Sequence, residues 1–155
     1  MSRSAPQQIA FRLAARTDVP AIIALLQDDS LGAGRESDEL SFYLDAFDRL
    51  TAEHGNTLIV GEKDGRIIAT YQLTFITGLS RRATRRAQVE SVRVHADLRG
   101  QGIGAAMMAD AETRARAAGC GLMQLTTDVT RGRAQRFYDR LGFTPSHVGY
   151  KRKLD

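Results

Sequence analysis

The sequence predicts an α/β domain in which a mixed, mostly antiparallel sheet is flanked by about four helices. Three observations lead there. Strand-like segments recur between Leu58 and Val94, and the first two are joined by Asp64-Gly65, a strong hairpin signal. On both sides of this stretch, apolar residues recur at helical spacing. Finally, a helix-length segment after Gly104 leads into a short apolar run, Leu122–Thr126, and a strand reached through a helix lies parallel to its predecessor. The 155 residues suit one domain, 9–155, large enough to bury a core without staples.

Taken in order, the residues to about Gln8 read as a loose leader. Ile9, Phe11 and Leu13 alternate as a first strand. Thr17 or Asp18 caps a helix with Pro20 in its first turn and Ile22, Ile23, Leu25 and Leu26 on its apolar face, and Gly32 and Gly34 break it. A second helix covers Asp38 to Ala52, where Leu40, Tyr43, Leu44, Phe47 and Leu50 keep helical spacing. Strands follow at Leu58–Val60 and Ile67–Ile76, then a basic loop from Gly78 to Ala87, then a strand from Gln88, which completes an antiparallel meander. A helix to Ala118 carries a narrow stripe of Ile103, Met107, Ala111, Ala115 and Ala118, with Gly119 as its cap. Leu122–Thr126 is the parallel strand, Arg131–Leu141 the last helix, and Val148–Leu154 a final strand.

Composition excludes several classes. No apolar run approaches the roughly 18 residues of a membrane-spanning helix, and MSRSAPQQ lacks the apolar centre of a signal peptide. The single cysteine, Cys120, rules out an internal disulfide and a cysteine-rich zinc site, and His54, His95 and His147 show no ligand spacing, so no metal is expected. These features point to the cytoplasm and to no membrane partner. The net charge of +4 is carried mostly by arginine, clustered at Arg81, Arg82, Arg85 and Arg86 and again at Arg131, Arg133, Arg136 and Arg140. Such clusters suit a phosphorylated cofactor or an acidic substrate, whereas no recognition-helix or zinc-finger pattern supports nucleic acid.

The chemistry gathers at Gln88–Gly104, QVESVRVHADLRGQGIG. A valine strand runs into a glycine turn that opens a helix, and backbone N–H groups bared at the positive end of a helix form an anion site. A P-loop is excluded because the turn lacks a Gly-Lys-Ser/Thr ending. Gly100, Gly102 and Ala105 satisfy the dinucleotide fingerprint, but too little chain follows for a nucleotide-binding sheet, and Glu90 and Arg93 are foreign to a central parallel strand.

The string Arg99-x-x-Gly102-x-Gly104 resembles the acetyl-coenzyme A signature of the GNAT superfamily of N-acetyltransferases. Downstream, Ala134-Gln-Arg-Phe137-Tyr138-Asp-Arg-Leu141-Gly142-Phe143 is similar to that superfamily's second motif, A-x-x-F-Y-x-x-x-G-F. Order and spacing agree over roughly Gln88 to Phe143.

The resemblance implies an acetyl-CoA-dependent enzyme. Coenzyme A pyrophosphate would sit on the backbone of Arg99, Gly100, Gln101, Gly102, Ile103 and Gly104, and pantetheine would pair with the strand edge at Val92, Arg93 and Val94. That strand would splay from Leu122–Thr126, leaving a slot for the thioester. Tyr138 matches the tyrosine that protonates the leaving thiolate, and a backbone N–H near Val92 would meet the oxyanion. Arg131 stands where the superfamily often has a cofactor-binding asparagine, and it is a candidate for a coenzyme A phosphate. From the residues themselves, Glu90 is the candidate base for a primary amine, with an ion pair to an arginine as its bland alternative. The strand's phase is also broken: Glu90 shares parity with Val92 and Val94, so either Glu90 is buried among apolar groups or a bulge intervenes. The acceptor, a small-molecule or protein amine, is expected against the first two helices and the loop SRRATRR, and a homodimer is common in the superfamily. A non-catalytic coenzyme A sensor of the same fold is the second reading.

Overall fold

The computed structural model describes residues 8–28, 34 and 36–155. The expected leader and Gly32 lie outside these residues. Five strands form one sheet in the order β1 (Ala10–Leu13), β2 (Asn56–Lys63), β3 (Arg66–Ile76), β4 (Arg86–Val94) and β5 (Leu122–Leu125). The first four are antiparallel neighbours, and β5 pairs parallel to β4, with Arg86 opposite Leu122 and Val89 opposite Leu125. Among the described residues, four helices longer than one turn accompany them: α1 (Val19–Gln27), α2 (Leu40–Ala52), α3 (Ile103–Ala117) and α4 (Gly132–Arg140).

The sheet's two faces are covered differently. Ile59, Tyr71, Leu73, Ala87 and Val89 pack on the α3 stripe of Ile103, Met107, Met108, Ala111 and Ala115, all buried. On the other face, α1 and α2 meet Leu58 through Val19, Ile23 and Phe47. Asp64 and Gly65, at φ 53° and 74°, make the expected β2–β3 turn. Asp18 precedes α1 as its cap residue, but its carboxylate accepts from Ala15 N–H (2.7 Å) and from Arg12 (2.7 and 3.1 Å) rather than from the helix. These bonds hold its titration below the ordinary carboxylate range, the Arg12 hydrogen bond contributing most. Glu112 and Arg116 pair at i,i+4 on the exposed side of α3.

One expected element is absent. Val148–Leu154 forms no strand, and Val148, Tyr150 and Leu154 are exposed. The cause is a lack of partner and of face: β5 is only four residues long, and Gly149 and the basic run Lys151–Lys153 leave little apolar surface to bury. The segment passes beside the end of β5, where a Cβ added at Gly149 would lie 3.7 Å from the Thr126 methyl.

Candidate active site

The site is built where β4 is irregular. Gln72 lies opposite Glu90 and Thr70 opposite Arg93, so Ser91 and Val92 together face the single residue Tyr71. This is the bulge that the broken alternation required. Ser91 has φ 54°, a left-handed conformation that costs a non-glycine residue about 1–2 kcal/mol. The extra residue reverses the phase: Val92 and Val94 join the α3-side core, while Ser91 turns to the α1/α2 face.

Past Val89 and Leu125 the two parallel strands stop pairing, yet β4 continues to Val94. Among the described residues, the β4 edge from Glu90 to Val94 therefore has no strand partner on the β5 side. An edge of this kind can take an extended ligand as an added strand.

At the end of β4, Gly100 and Gly102 adopt φ 79° and 80°, which their lack of a side chain permits. The first intrahelical bond of α3 runs from Ala106 N–H to the Gly102 carbonyl (3.1 Å). Among the described residues, the N–H groups of Gly102, Ile103, Gly104 and Ala105 have no acceptor, so four donors at the positive end of a fifteen-residue helix face outward. That donor set fits a pyrophosphate. The two inner glycines serve different ends. A Cβ at Gly102 would meet nothing within 4 Å, so its constraint is φ; one at Gly104 would lie 3.1 Å from Phe137 Cζ, so its constraint is the packing of α4 on α3. The Arg99 side chain is turned away from the donors: Nε donates to the Val94 carbonyl (3.2 Å) and Nη2 to the Asp28 carbonyl (2.7 Å), tying the turn to the end of α1.

Glu90 is exposed on the α1/α2 face and ends a chain of side-chain hydrogen bonds. Arg86 donates to Gln124 (3.3 Å), Gln124 to Gln88 (2.7 Å), and Gln88 to Glu90 Oε1 (2.8 Å). The expected alternative of an arginine ion pair to Glu90 is not seen among the described residues. Tyr138, on α4, packs edge-on against Phe137 (5.1 Å between centroids) and Phe143 (5.7 Å). Its hydroxyl has no hydrogen-bond partner among the described residues. Burial raises the phenol's pKa, and the charges of Arg131 and Arg93 pull it back in part. Arg131 is the cap residue of α4. Tyr138, Arg93 and Arg131 are thus brought within electrostatic reach of one another.

The basic loop is elsewhere. Ser80–Ala83 makes a turn with Arg81, Arg82 and Ala83 at positive φ, and it precedes β4, whereas the glycine turn follows it. Nine residues of strand separate the two, roughly 25 Å, so this loop is remote from the bared N–H groups. Arg85 donates to the Ala118 carbonyl (2.6 Å) and lies over Phe75, and Arg86 is held by Gln124. Cys120 packs at the edge of the core and burial raises its pKa, as suits an inert thiol. Among the described residues no cluster of possible metal ligands occurs, and no helix is long and apolar enough to cross a membrane.

Sequence reasoning passed over one feature, a cavity of about 180 Å³ between α1, α2 and the sheet. Its walls are the apolar faces read as helix packing, and only Ser91, in the broken alternation, hinted that it reaches the bulge.

The β4 edge thus leaves its parallel neighbour and runs into four bare helix N–H groups. A family model described as the acetyltransferase (GNAT) family matches residues 19–143. The chain belongs to the GNAT family. Its members transfer an acetyl group from acetyl-CoA. A curated protein of Salmonella typhimurium, aminoalkylphosphonate N-acetyltransferase, is 39% identical over 67 residues, covering 43% of this chain and 44% of that protein. The chain thus matches less than half of that relative's length. A crystal structure from Bacillus halodurans C-125, described as a transcriptional regulator, superposes with a TM-score of 0.91 at 39% identity, over 95% of this chain and 100% of that one. Glucosamine-6-phosphate N-acetyltransferase from Arabidopsis thaliana shares the fold, with a TM-score of 0.78 at 18% identity over 96% and 99% of the two chains.

Proposed function

We propose that this GNAT chain is an acetyl-CoA-dependent N-acetyltransferase that acts on a primary amine by direct attack, with Glu90 as base and Tyr138 as acid. The observation that carries the reading is the open β4 edge leading into the bare N–H groups of Gly102–Ala105. Acetyl-CoA supplies an activated acetyl thioester. The backbone at Arg99–Gly104 holds its pyrophosphate, the edge at Val92–Val94 pairs its pantetheine, and Arg131 is the candidate for a coenzyme A phosphate.

Glu90 takes the proton of the incoming ammonium, directly or through one water, so that the nitrogen lone pair can attack the carbonyl carbon. The amide chain from Arg86 through Gln124 and Gln88 fixes which carboxylate oxygen remains free. A backbone N–H near Val92 meets the oxygen as it gains charge. As the carbon–sulfur bond breaks, the Tyr138 hydroxyl gives its proton to sulfur, and the attacking nitrogen sheds its second proton through water to restore the phenol, whose raised pKa keeps that proton in place at neutral pH. A relative named for an aminoalkylphosphonate substrate supports a small amine as acceptor.

The second reading, a coenzyme A-responsive regulator without turnover, draws on the Bacillus halodurans relative described as a transcriptional regulator. Thermal-shift titration with acetyl-CoA, followed by thiol release across a panel of primary amines, tests both. A raised Tm with amine-dependent thiol release is the expected result. Binding without thiol release for any amine would replace the enzyme by the sensor, and no shift with acetyl-CoA would remove both.

A further inference from the structure

We infer that the acceptor's non-reacting end is an uncharged apolar group of about phenyl or branched-pentyl size, seated in the cavity between α1 and α2. This rests on the acetyltransferase reading and narrows its substrate to apolar primary amines. Three observations carry it. The cavity is continuous with the reaction site, because Ser91 of the bulge and Gln72, the partner of Glu90, belong to its floor. An amine held there can present its nitrogen to Glu90, one residue from Ser91. Its walls are apolar, with Ile22 and Leu26 from α1 and Ala46 and Leu50 from α2. Its volume of about 180 Å³ is slightly more than the ~150 Å³ that accepts a benzene ring in an apolar protein interior.

The lining also says what is refused. Among the described residues, no charged side chain borders the cavity. Thr70 reaches it, but its hydroxyl already donates to the Ile59 carbonyl (2.8 Å). A phosphonate or carboxylate placed there would lose its water and gain no cation, which a site of this lining strongly disfavours. Arg93, opposite Thr70 in the ladder, is not among the lining residues, and its charge acts on Tyr138. The remaining arginines of SRRATRR sit at the other end of β4. The acceptor class therefore departs from that named for the Salmonella typhimurium relative, whose match covers less than half of either chain.

The test compares 2-phenylethylamine, 3-methylbutylamine, ethylamine and 2-aminoethylphosphonate by thiol release from acetyl-CoA. In parallel, binding of 2-phenylethylamine is measured calorimetrically in the presence of coenzyme A, where no turnover occurs. The two apolar amines should exceed 2-aminoethylphosphonate in kcat/KM by at least about 30-fold, within the range that pocket complementarity supplies. Ala46→Leu, which fills part of the cavity, should lower the ratio of 2-phenylethylamine to ethylamine by about 10-fold, and Leu50→Ala should shift preference to a naphthyl-sized amine. Preference for the phosphonate, or ratios that neither variant moves, would overturn the cavity assignment while leaving the acetyltransferase intact. Binding of 2-phenylethylamine that Ala46→Leu weakens, without thiol release from any amine, would uphold the cavity and overturn the catalytic reading. Neither binding nor release overturns both.

Discussion

Tyr138→Phe separates a proton donor from a packing aromatic. The structure sets its cost to stability near zero. The hydroxyl has no partner among the described residues, so no hydrogen bond is lost, and the edge contacts to Phe137 and Phe143 belong to the ring that remains. The expected change in folding free energy is within about 0.5 kcal/mol. The effect on the leaving thiolate is much larger. Loss of a positioned general acid lowers turnover by about 10²- to 10⁴-fold, or roughly 3–5 kcal/mol of barrier. The affinity for acetyl-CoA, which on the proposed reading depends on backbone donors and the β4 edge, should stay within about twofold. The pH profile adds a second readout. Burial raises the phenol above its ordinary value of 10.0, and a proton donor acts in its protonated form. The donor is therefore present at every pH below that value and is lost only as pH rises through the raised pKa. Wild-type kcat should show no alkaline decline assignable to Tyr138 below about pH 10. Single-turnover thiol release, with Tm and coenzyme affinity measured on the same samples, makes the comparison. A Tyr138→Phe rate within about threefold of wild type would remove the residue from the mechanism.

Further outcomes follow from other contacts. Glu90→Gln keeps the Gln88 bond but cannot take a proton, so kcat/KM should fall by about 10²-fold or more at pH 7 and recover partly as pH approaches the free amine's pKa; a loss that does not recover would argue for positioning alone. Gly104→Ala gains about 1 kcal/mol of helix propensity but forces Phe137 aside at a cost of about 1–3 kcal/mol, so the net change, read by Tm, should lie between about 0 and 2 kcal/mol destabilising. Asp18→Asn removes a carboxylate whose folded pKa lies below 3.8, so its contribution is complete above that value and disappears as pH falls through the folded pKa. The variant should lose about 2 kcal/mol at pH 7 and show a flatter Tm between pH 5 and about pH 2, checked by denaturation across that range.

How much was legible in the sequence depended on how local the cause was. The α3 stripe, the Asp64-Gly65 turn and the parallel β5 follow from spacing and turn chemistry, and all three are found. The bulge was legible because alternation leaves only two answers for Glu90 beside Val92 and Val94. By contrast, Val148–Leu154 has strand-like alternation but no partner, and pairing is a tertiary fact that alternation cannot supply. Nor could the sequence tell that Arg99 would turn back to Asp28, or that Gly104 would serve Phe137, because both depend on contacts far away in the chain. Arg81–Arg86 read as a ligand-facing cluster, yet two of its arginines are occupied by Ala118 and Gln124.

On the proposed reading, the bulge lets one strand serve both substrates. In a regular β4, Glu90, Val92 and Val94 would share a face, and either the base would enter the α3-side core or the valines would line the acceptor side. One inserted residue removes the conflict. Before it, Val89 points to the core and Glu90 to the α1/α2 face; after it, Val92 and Val94 point to the core and Arg93 away from it. The same insertion falls where β5 has ceased to pair, so the added twist is not opposed by a ladder on that side. Base, open edge and cavity floor thus arise together from the strained φ of Ser91, at a cost of about 1–2 kcal/mol. On the proposed reading, the glycine turn would hold the coenzyme's phosphates, and the bulge would set where the amine meets its thioester.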